Sequence, residues 1–245
     1  MADIPTDLWR GLSSVARSAL QTRDYSGGSL GDRLHQVGRV EARELVGGIP
    51  PEVSIPGVEV FHRRVFHQRY RGYFSEFARE NEGLVGKIGL WPKQWATAKM
   101  VAGTSKGFHI HPPCIPEGTA PNAWFRRLFV DEPTNYALRP YDKEQWDVMF
   151  FIQGICEMFL IDERDGMPRR KMRFIIEGDD LRGENNVGVV IPAGVAHAIR
   201  SASSNDLIMV YGTSTTFAPE NEGRIAHGVE TPETPDDWET FWNLA

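Results

Sequence analysis

From residue 58 onward the sequence consists of short apolar runs separated by turn residues. The runs at 146–162, 187–194 and 206–217 are rich in Val, Ile, Phe and Tyr and are bounded by Gly, Pro or Asp. No segment of helical length alternates with these runs, which argues against a parallel βαβ fold. Many short strands joined by turns are typical of antiparallel sandwiches and jelly rolls. The sequence therefore predicts an all-β domain over residues 58–225.

The flanking and inserted segments differ from this pattern. Residues 1–57 are interpreted as an N-terminal helical arm, in which 7–21 place apolar side chains on one helical face. A second, weaker helix is predicted over 30–45. Residues 112–145 have little strand character, and an insertion of this length usually forms a lid, a binding loop or an interface element. Residues 226–245 form a short acidic tail.

Composition narrows the possible partners of the protein. The chain has 245 residues and a net charge of −6, which argues against binding to duplex DNA. No run of apolar residues is long enough to span a membrane. The first residues lack the basic-then-apolar order of a secretory signal, and two cysteines do not make a disulfide framework. We therefore expect a cytoplasmic protein that binds neither nucleic acid nor membrane.

Three histidines and one aspartate stand near the ends of the predicted strands. His109 and His111 are two residues apart in an extended run, so their imidazoles face the same side. His197 follows a tight turn, and Asp147 begins another strand. Two or three imidazoles with one carboxylate are a normal ligand set for Zn, Fe, Mn or Ni. The residues alone leave two alternatives, namely a divalent metal site or histidines on a solvated strand and turn.

In this order, HxH at 109–111 and PxGxxH at 192–197 resemble the two motifs of the cupin superfamily. The resemblance implies a jelly-roll barrel with an internal metal site. The residues that match the family's ligands are His109, His111, Asp147 and His197.

This sequence departs from the cupin pattern at the carboxylate ligand. The residue is Asp147 rather than Glu, and the insertion lies between it and the HxH motif, so Glu117 and Glu144 are rival ligands. Asp147 is preferred because its spacing to Gly154 matches the family. In that phase, Met149 also faces inward.

Four segments also resemble the dTDP-4-dehydrorhamnose 3,5-epimerase family, itself a group of cupins. They are RGYFSEF at 71–77, KGFH at 106–109, IPAGVAHAI at 191–199 and the segment around Tyr211. The resemblance implies that a nucleotide contacts the first segment, that a basic residue binds phosphate, and that a histidine and a tyrosine are catalytic. The matching residues are Arg71, Phe74 and Glu76 for the nucleotide, Lys106 for phosphate, His109 as general base and Tyr211.

Two positions differ from that epimerase family. His111 replaces a glutamine, and Asp147 replaces a substrate-binding lysine; both changes install metal ligands. His109 therefore has two competing roles, ligand and general base. A third resemblance, to metal-dependent cupin sugar isomerases such as D-lyxose isomerase, rests on HPP at 111–113 and TSTT at 213–216.

These observations predict an isomerase or epimerase that acts on a keto or aldehydo sugar, including nucleotide-linked sugars. A divalent metal ion (Zn, Mn, Fe or Ni) would polarise the carbonyl, and Tyr211 would return the proton. The alternatives are an Fe(II)-dependent cupin oxygenase and a non-catalytic sugar-binding cupin. Because cupins of this kind generally pair through swapped edge strands, a homodimer is expected.

Overall fold

The fold is described from a computed structural model. The described residues are 40–46, 55–80, 82, 85, 91–111, 144–162, 164, 170–218 and 223–224. They form β-strands in two large sheets and one hairpin, together with a short 3₁₀ helix. The predicted all-β class is confirmed. No helix among these residues is long and apolar enough to cross a membrane.

The larger sheet has six strands in the order β1-β9-β8-β11-β6-β13. All of its pairings are antiparallel except that of β1 with β9. The strand bounds are Val40–Glu41 for β1, Ser105–Ile110 for β6, Ile155–Asp162 for β8, Lys171–Glu177 for β9, Val195–Ser201 for β11 and Gly223–Arg224 for β13.

The second sheet has five antiparallel strands in the order β2-β10-β7-β12-β5. A separate hairpin is formed by β3 and β4. The bounds are Glu59–His62 for β2, Arg64–Gln68 for β3, Gly72–Glu76 for β4, Gln94–Met100 for β5, Asp147–Gln153 for β7, Val187–Ile191 for β10 and Leu207–Thr213 for β12.

The main core lies between the two large sheets. Met158 and Phe174 from the six-stranded sheet belong to the same buried cluster as Met149 and Phe151 from the five-stranded sheet. Alternate residues of each strand point to opposite faces, so the inward phase predicted for β7 is correct. Burying such side chains stabilises the fold by about 1.5–3 kcal/mol each.

The five-stranded sheet carries a second apolar cluster on its other face. Val148, Phe150 and Val190 are buried there, and Phe77, which follows the hairpin, packs against them. The rings of Phe77 and Phe150 lie 5.3 Å apart. Because both faces of β7 are covered, its sequence is a continuous apolar run rather than an alternating one.

Two glycines carry the chain from one sheet to the other. Gly154 separates β7 from β8 with φ +85°, and a Cβ atom there would lie 2.9 Å from the Asp206 carbonyl oxygen. Gly194 has φ +78° in the turn between β10 and β11. Glycine adopts these positive φ values without a steric penalty. Both turns therefore fix where the following strand begins.

The helix predicted over 30–45 is wrong for its described part. Residues 40–41 form a strand that pairs in parallel with β9, and Ala42–Leu45 form a 3₁₀ helix. Ala42 and Leu45 are three residues apart and both are buried in the core, which suits a three-residue helical turn. Residues 1–39 and 47–54 of the predicted arm, together with 112–143 and 225–245, lie outside the described residues.

Candidate functional site

Three of the predicted site residues converge between the two large sheets. One ligand-type atom from each of His111, Asp147 and His197 lies within 4.8 Å of the others, and all three residues are buried. Asp147 Oδ2 is 3.1 Å from His111 Nε2 and 3.7 Å from His197 Nε2. Burial alone would raise the pKa of Asp147, but the neighbouring histidine charges and hydrogen bonds from His111 and Gln145 lower it to about 2.

The backbone explains why residues so distant in sequence meet. Asp147 is the first residue of β7, His111 directly follows β6, and His197 is the third residue of β11. The N–H group of Gly194, in the turn before β11, donates a hydrogen bond of 2.7 Å to the carbonyl oxygen of His111. This bond ties the second histidine motif to the first.

The pairing of β6 with β11 contains an irregularity beside the site. His197 lies opposite His109, but Ile199 lies opposite Lys106, so the register shifts between the two pairs. Such bulges are common next to active sites, because they change the direction of a side chain. Here β6 has one more residue between Lys106 and His109 than β11 has between Ile199 and His197.

The convergent residues open onto a cavity of about 190 Å³. Lys106, His109 and Tyr211 line it as well, and Met149 and Met209 supply apolar surface. The remaining lining residues are Gln94, Gln145, Ala198, Ile199, Thr213 and Phe217. An apolar cavity with a few convergent polar groups is the usual form of a small-molecule site.

The predicted ligand set is only partly brought together. The imidazole of His109 lies 6.0 Å, centroid to centroid, from that of His197, and His109 is absent from the converging group among the described residues. The rival Glu144 is also outside that group, and its carbonyl oxygen accepts a hydrogen bond from Ser214. Glu117 lies outside the described residues.

Gln145 is a site residue that the sequence analysis missed. Its side-chain Nε2 is 3.0 Å from Asp147 Oδ1 and 3.1 Å from His111 Nε2. The hydroxyl of Thr215 donates a 2.7 Å hydrogen bond to the Gln145 Oε1 atom. The available signal was its position two residues before Asp147, since an extended chain turns such residues to the same side.

The three predicted nucleotide contacts lie away from the cavity. Arg71, Phe74 and Glu76 belong to the hairpin or its turn and do not line the cavity of their own chain. Phe74 is 53% exposed and stacks on Phe66. The carboxylate of Glu76 forms ion pairs with Arg79 at 2.7 Å and with Arg64 at 3.4 Å.

A buried charged pair under the hairpin was also missed. Arg63 and Asp179 form an ion pair of 2.9 Å, and neither side chain is exposed. The Arg63 guanidinium lies 4.9 Å from the ring centroids of Phe77 and Phe150. Burial raises the pKa of Asp179, and the Arg63 charge only partly offsets this effect.

Comparison with known proteins identifies relatives of the chain. No protein-family model matches it. The spore coat polysaccharide biosynthesis protein SpsL of Bacillus subtilis (strain 168) is 27% identical over 180 residues, which are 72% of this chain and 93% of that protein. A dTDP sugar isomerase from Desulfovibrio desulfuricans G20 superposes with a TM-score of 0.52 at 12% identity, covering 71% of this chain and 87% of the other.

A further similar structure is a dTDP-4-dehydrorhamnose 3,5-epimerase from Bacillus anthracis str. Ames, with a TM-score of 0.49 and 16% identity. The superposition covers 75% of this chain and 87% of the epimerase. The likeness to the Desulfovibrio structure, together with the observed sheets, confirms the predicted jelly-roll architecture.

Proposed function

We propose that this protein is a metal-dependent isomerase or epimerase that removes a proton next to the carbonyl of a sugar. The proposal rests on one observation: two imidazoles and a carboxylate converge at the wall of a cavity that His109 and Tyr211 also line. The relatives support the substrate class, since one is named for polysaccharide biosynthesis and another as a dTDP sugar isomerase. Nucleotide-linked keto sugars therefore belong to the proposed substrate class.

The donor set supports a divalent cation at His111, Asp147 and His197. Ligand atoms about 2.1 Å from one tetrahedral ion stand roughly 3.4 Å apart. The distances from Asp147 Oδ2 to the two imidazole nitrogens, 3.1 and 3.7 Å, lie on either side of this value. The bound ion would polarise the carbonyl and stabilise the negative charge that proton removal creates.

The placement of His109 supports the role of general base rather than ligand. His109 reaches the cavity from β6 of the six-stranded sheet, whereas Tyr211 reaches it from β12 of the five-stranded sheet. Groups on opposite sheets can remove a proton from one face of a carbon and return one to the other face. Lys106 is exposed, lies on the same strand as His109 and also lines the cavity. It would pair with an anionic group of the substrate.

The test is solvent-deuterium exchange into a panel of keto sugars, free and nucleotide-linked, with metal-loaded and metal-stripped protein. We expect deuterium uptake at the carbon beside the carbonyl only with the loaded protein. His109→Asn and Tyr211→Phe should each slow uptake by about 10²- to 10⁴-fold, the usual contribution of general acid–base catalysis. Tyr73→Phe is the matched control, because Tyr73 lies on the hairpin and does not line the cavity.

A second candidate function follows from the separation of His109 from the converging group. Two histidines and one carboxylate with open positions are the ligand set of non-haem Fe(II) oxygenases. Oxygen consumption with Fe(II), without deuterium uptake, would replace the isomerase proposal with this one. Neither activity, with a sugar still bound, would favour a non-catalytic sugar-binding protein.

We also propose that the protein is a homodimer. Its location in the cytoplasm stays a prediction. The hairpin supports the dimer, because it exposes Phe66, Tyr70 and Phe74, by 56%, 89% and 53%. Exposed aromatic clusters of this kind often form protein interfaces. Sedimentation at micromolar concentration should give the mass of two chains, and Phe74→Ser should lower it. A wild-type mass of one chain would contradict the proposal.

A further inference from the structure

We propose that Gln145, held in place by Thr215, is a positioning residue that leaves Asp147 only one oxygen with which to bind a cation. This inference rests on the proposed metal site. It concerns which atoms of this chain take part and how many positions stay open for substrate. Gln145 is 7% exposed, so its amide is almost entirely enclosed at the back of the site.

The two oxygens of the Asp147 carboxylate face different groups. Oδ1 accepts a hydrogen bond of 3.0 Å from the Gln145 Nε2 atom, which also lies 3.1 Å from His111 Nε2 and so contacts two of the three converging residues. Oδ2 faces the Nε2 atoms of His111 and His197, at 3.1 and 3.7 Å. An oxygen that is occupied by a hydrogen-bond donor is a poorer ligand. The Gln145 amide therefore favours binding through Oδ2 alone.

The orientation of the Gln145 amide is set from behind. The Thr215 hydroxyl donates to Gln145 Oε1 at 2.7 Å, which directs the Nε2 group toward Asp147. With the amide reversed, its oxygen would face the carboxylate and the two would repel each other. The contact with Thr215 therefore fixes both the position of the amide and the direction of its donor.

The segment after β12 anchors this arrangement to the strand that bears Asp147. Trp146 donates its N–H group to the Ser214 hydroxyl at 2.8 Å, and Ser214 donates its N–H group to the Trp146 carbonyl at 3.0 Å. The Thr213 hydroxyl donates to the Thr215 carbonyl at 2.6 Å. Ser214 thus holds the backbone at Trp146, between Gln145 and Asp147. This gives the Thr-Ser-Thr run a structural task at the site.

Binding through one carboxylate oxygen has a chemical consequence. A carboxylate that binds through both oxygens fills two positions around an ion, whereas one that binds through a single oxygen fills one. Two imidazoles and one oxygen then leave positions for a substrate carbonyl and hydroxyl. Groups that orient ligands in this way typically change metal affinity by roughly 10- to 100-fold when they are removed.

The test is titration of Co²⁺ into metal-stripped protein, followed by the visible absorption of the bound ion. Gln145→Ala should weaken binding by roughly 10- to 100-fold. It should also change the absorption spectrum, because Asp147 can then bind through both oxygens. Thr215→Val should cause a smaller change in the same direction, and Thr215→Ser, which keeps the hydroxyl, should restore wild-type behaviour.

A matched control is Gln153→Ala, which removes a glutamine at the far end of β7. Its amide donates to the Asp206 carbonyl at 3.2 Å and does not line the cavity. This variant should leave the Co²⁺ affinity and spectrum unchanged. If Gln145→Ala does not fold, Thr215→Val gives the same spectral comparison with the amide still present.

The outcomes separate this inference from the function on which it rests. Wild-type affinity and spectrum in both the Gln145→Ala and Thr215→Val proteins would overturn the inference and leave the metal site standing. A loss of affinity without any spectral change would also overturn it, because that result indicates only structural support. A wild-type protein that binds no Co²⁺ would overturn the metal site and this inference together.

Discussion

Asp147 and Asp179 are both buried carboxylates, yet the protein compensates their charges in different ways. Asp179 faces the guanidinium of Arg63 at 2.9 Å, with aromatic rings on the guanidinium and no exposed surface on either side chain. Asp147 faces two imidazoles and an amide at the wall of a cavity of about 190 Å³. The two sites lie on opposite faces of the same five-stranded sheet.

The difference supports different roles for the two sites. A guanidinium is permanently charged and has only donors, so Arg63 offers no lone pair to a cation and does not itself accept a proton. Imidazoles have lone pairs and variable charge, and those of His111 and His197 point toward one carboxylate oxygen beside open space. We therefore propose a stabilising role for the Asp179 site and a binding role for the Asp147 site.

The largest expected effect on stability comes from breaking the buried ion pair between Arg63 and Asp179. Arg63→Met leaves Asp179 buried without its counter-charge, which typically costs about 3–5 kcal/mol. Urea unfolding in the presence of a chelator measures this loss. The double variant Arg63→Met/Asp179→Leu should recover most of it, since both charges are then gone. Co²⁺ affinity of the folded Arg63→Met protein should equal that of the wild type, and a tenfold change would contradict the separation of the two sites.

Lowering the pH should change the contributions of the two carboxylates to the free energy of unfolding in opposite directions. The pKa of Asp147 is lowered from 3.8 to about 2, so its contribution to stability is present above about pH 4 and is lost as the pH falls toward 2. The stability gap between wild type and Asp147→Asn, both metal-stripped, should shrink by about 2 kcal/mol between pH 5 and pH 2. Urea unfolding at several pH values gives this gap.

Asp179 should behave in the opposite way. Burial raises its pKa, so its contribution to stability is present below pH 3.8 and is lost as the pH rises. The wild type should therefore lose stability relative to Asp179→Asn as the pH rises from 4. Parallel pH curves for the Asp147→Asn and Asp179→Asn proteins would show that the two environments do not differ as described.

The smallest expected effect concerns the hairpin that covers the Asp179 site. The Tyr73 hydroxyl donates a hydrogen bond of 2.9 Å to the Ile152 carbonyl and so ties β4 to β7. Tyr73→Phe removes this bond alone and should cost about 1 kcal/mol. Thermal or urea unfolding measures the loss, and Co²⁺ binding should not change. A change in binding would mean that the hairpin and the cavity are coupled.

The parts of the fold that follow from local pattern could be predicted from the sequence. The apolar run of β7, its end at Gly154 and the inward phase of Met149 all depend on alternation and on one turn residue. The strand at 40–41 could not be foreseen, because it depends on pairing with the distant β9. Its local composition favours a helix that the tertiary structure overrides.

The candidate site likewise contains residues that local motifs reveal and contacts that only the tertiary structure reveals. His111, Asp147 and His197 could be found because short motifs mark them, but the sequence could not show that His109 stands apart. His109 lies within β6 and opposite His197, whereas His111 lies just beyond the end of that strand, and only His111 belongs to the converging group among the described residues. The contacts of Gln145 with Thr215 depend on how β7 and β12 pair, and spacing along the chain does not reveal them.

The most direct test of the proposed metal site is a crystal structure of the protein with Co²⁺, with the ion located by its anomalous scattering. We predict one ion, about 2.0–2.2 Å from His111 Nε2, Asp147 Oδ2 and His197 Nε2, with His109 outside bonding distance. Crystals of the metal-saturated protein with no ion at this position would rule out the proposed metal site, and an ion bound to His109 would rule out the proposed ligand set.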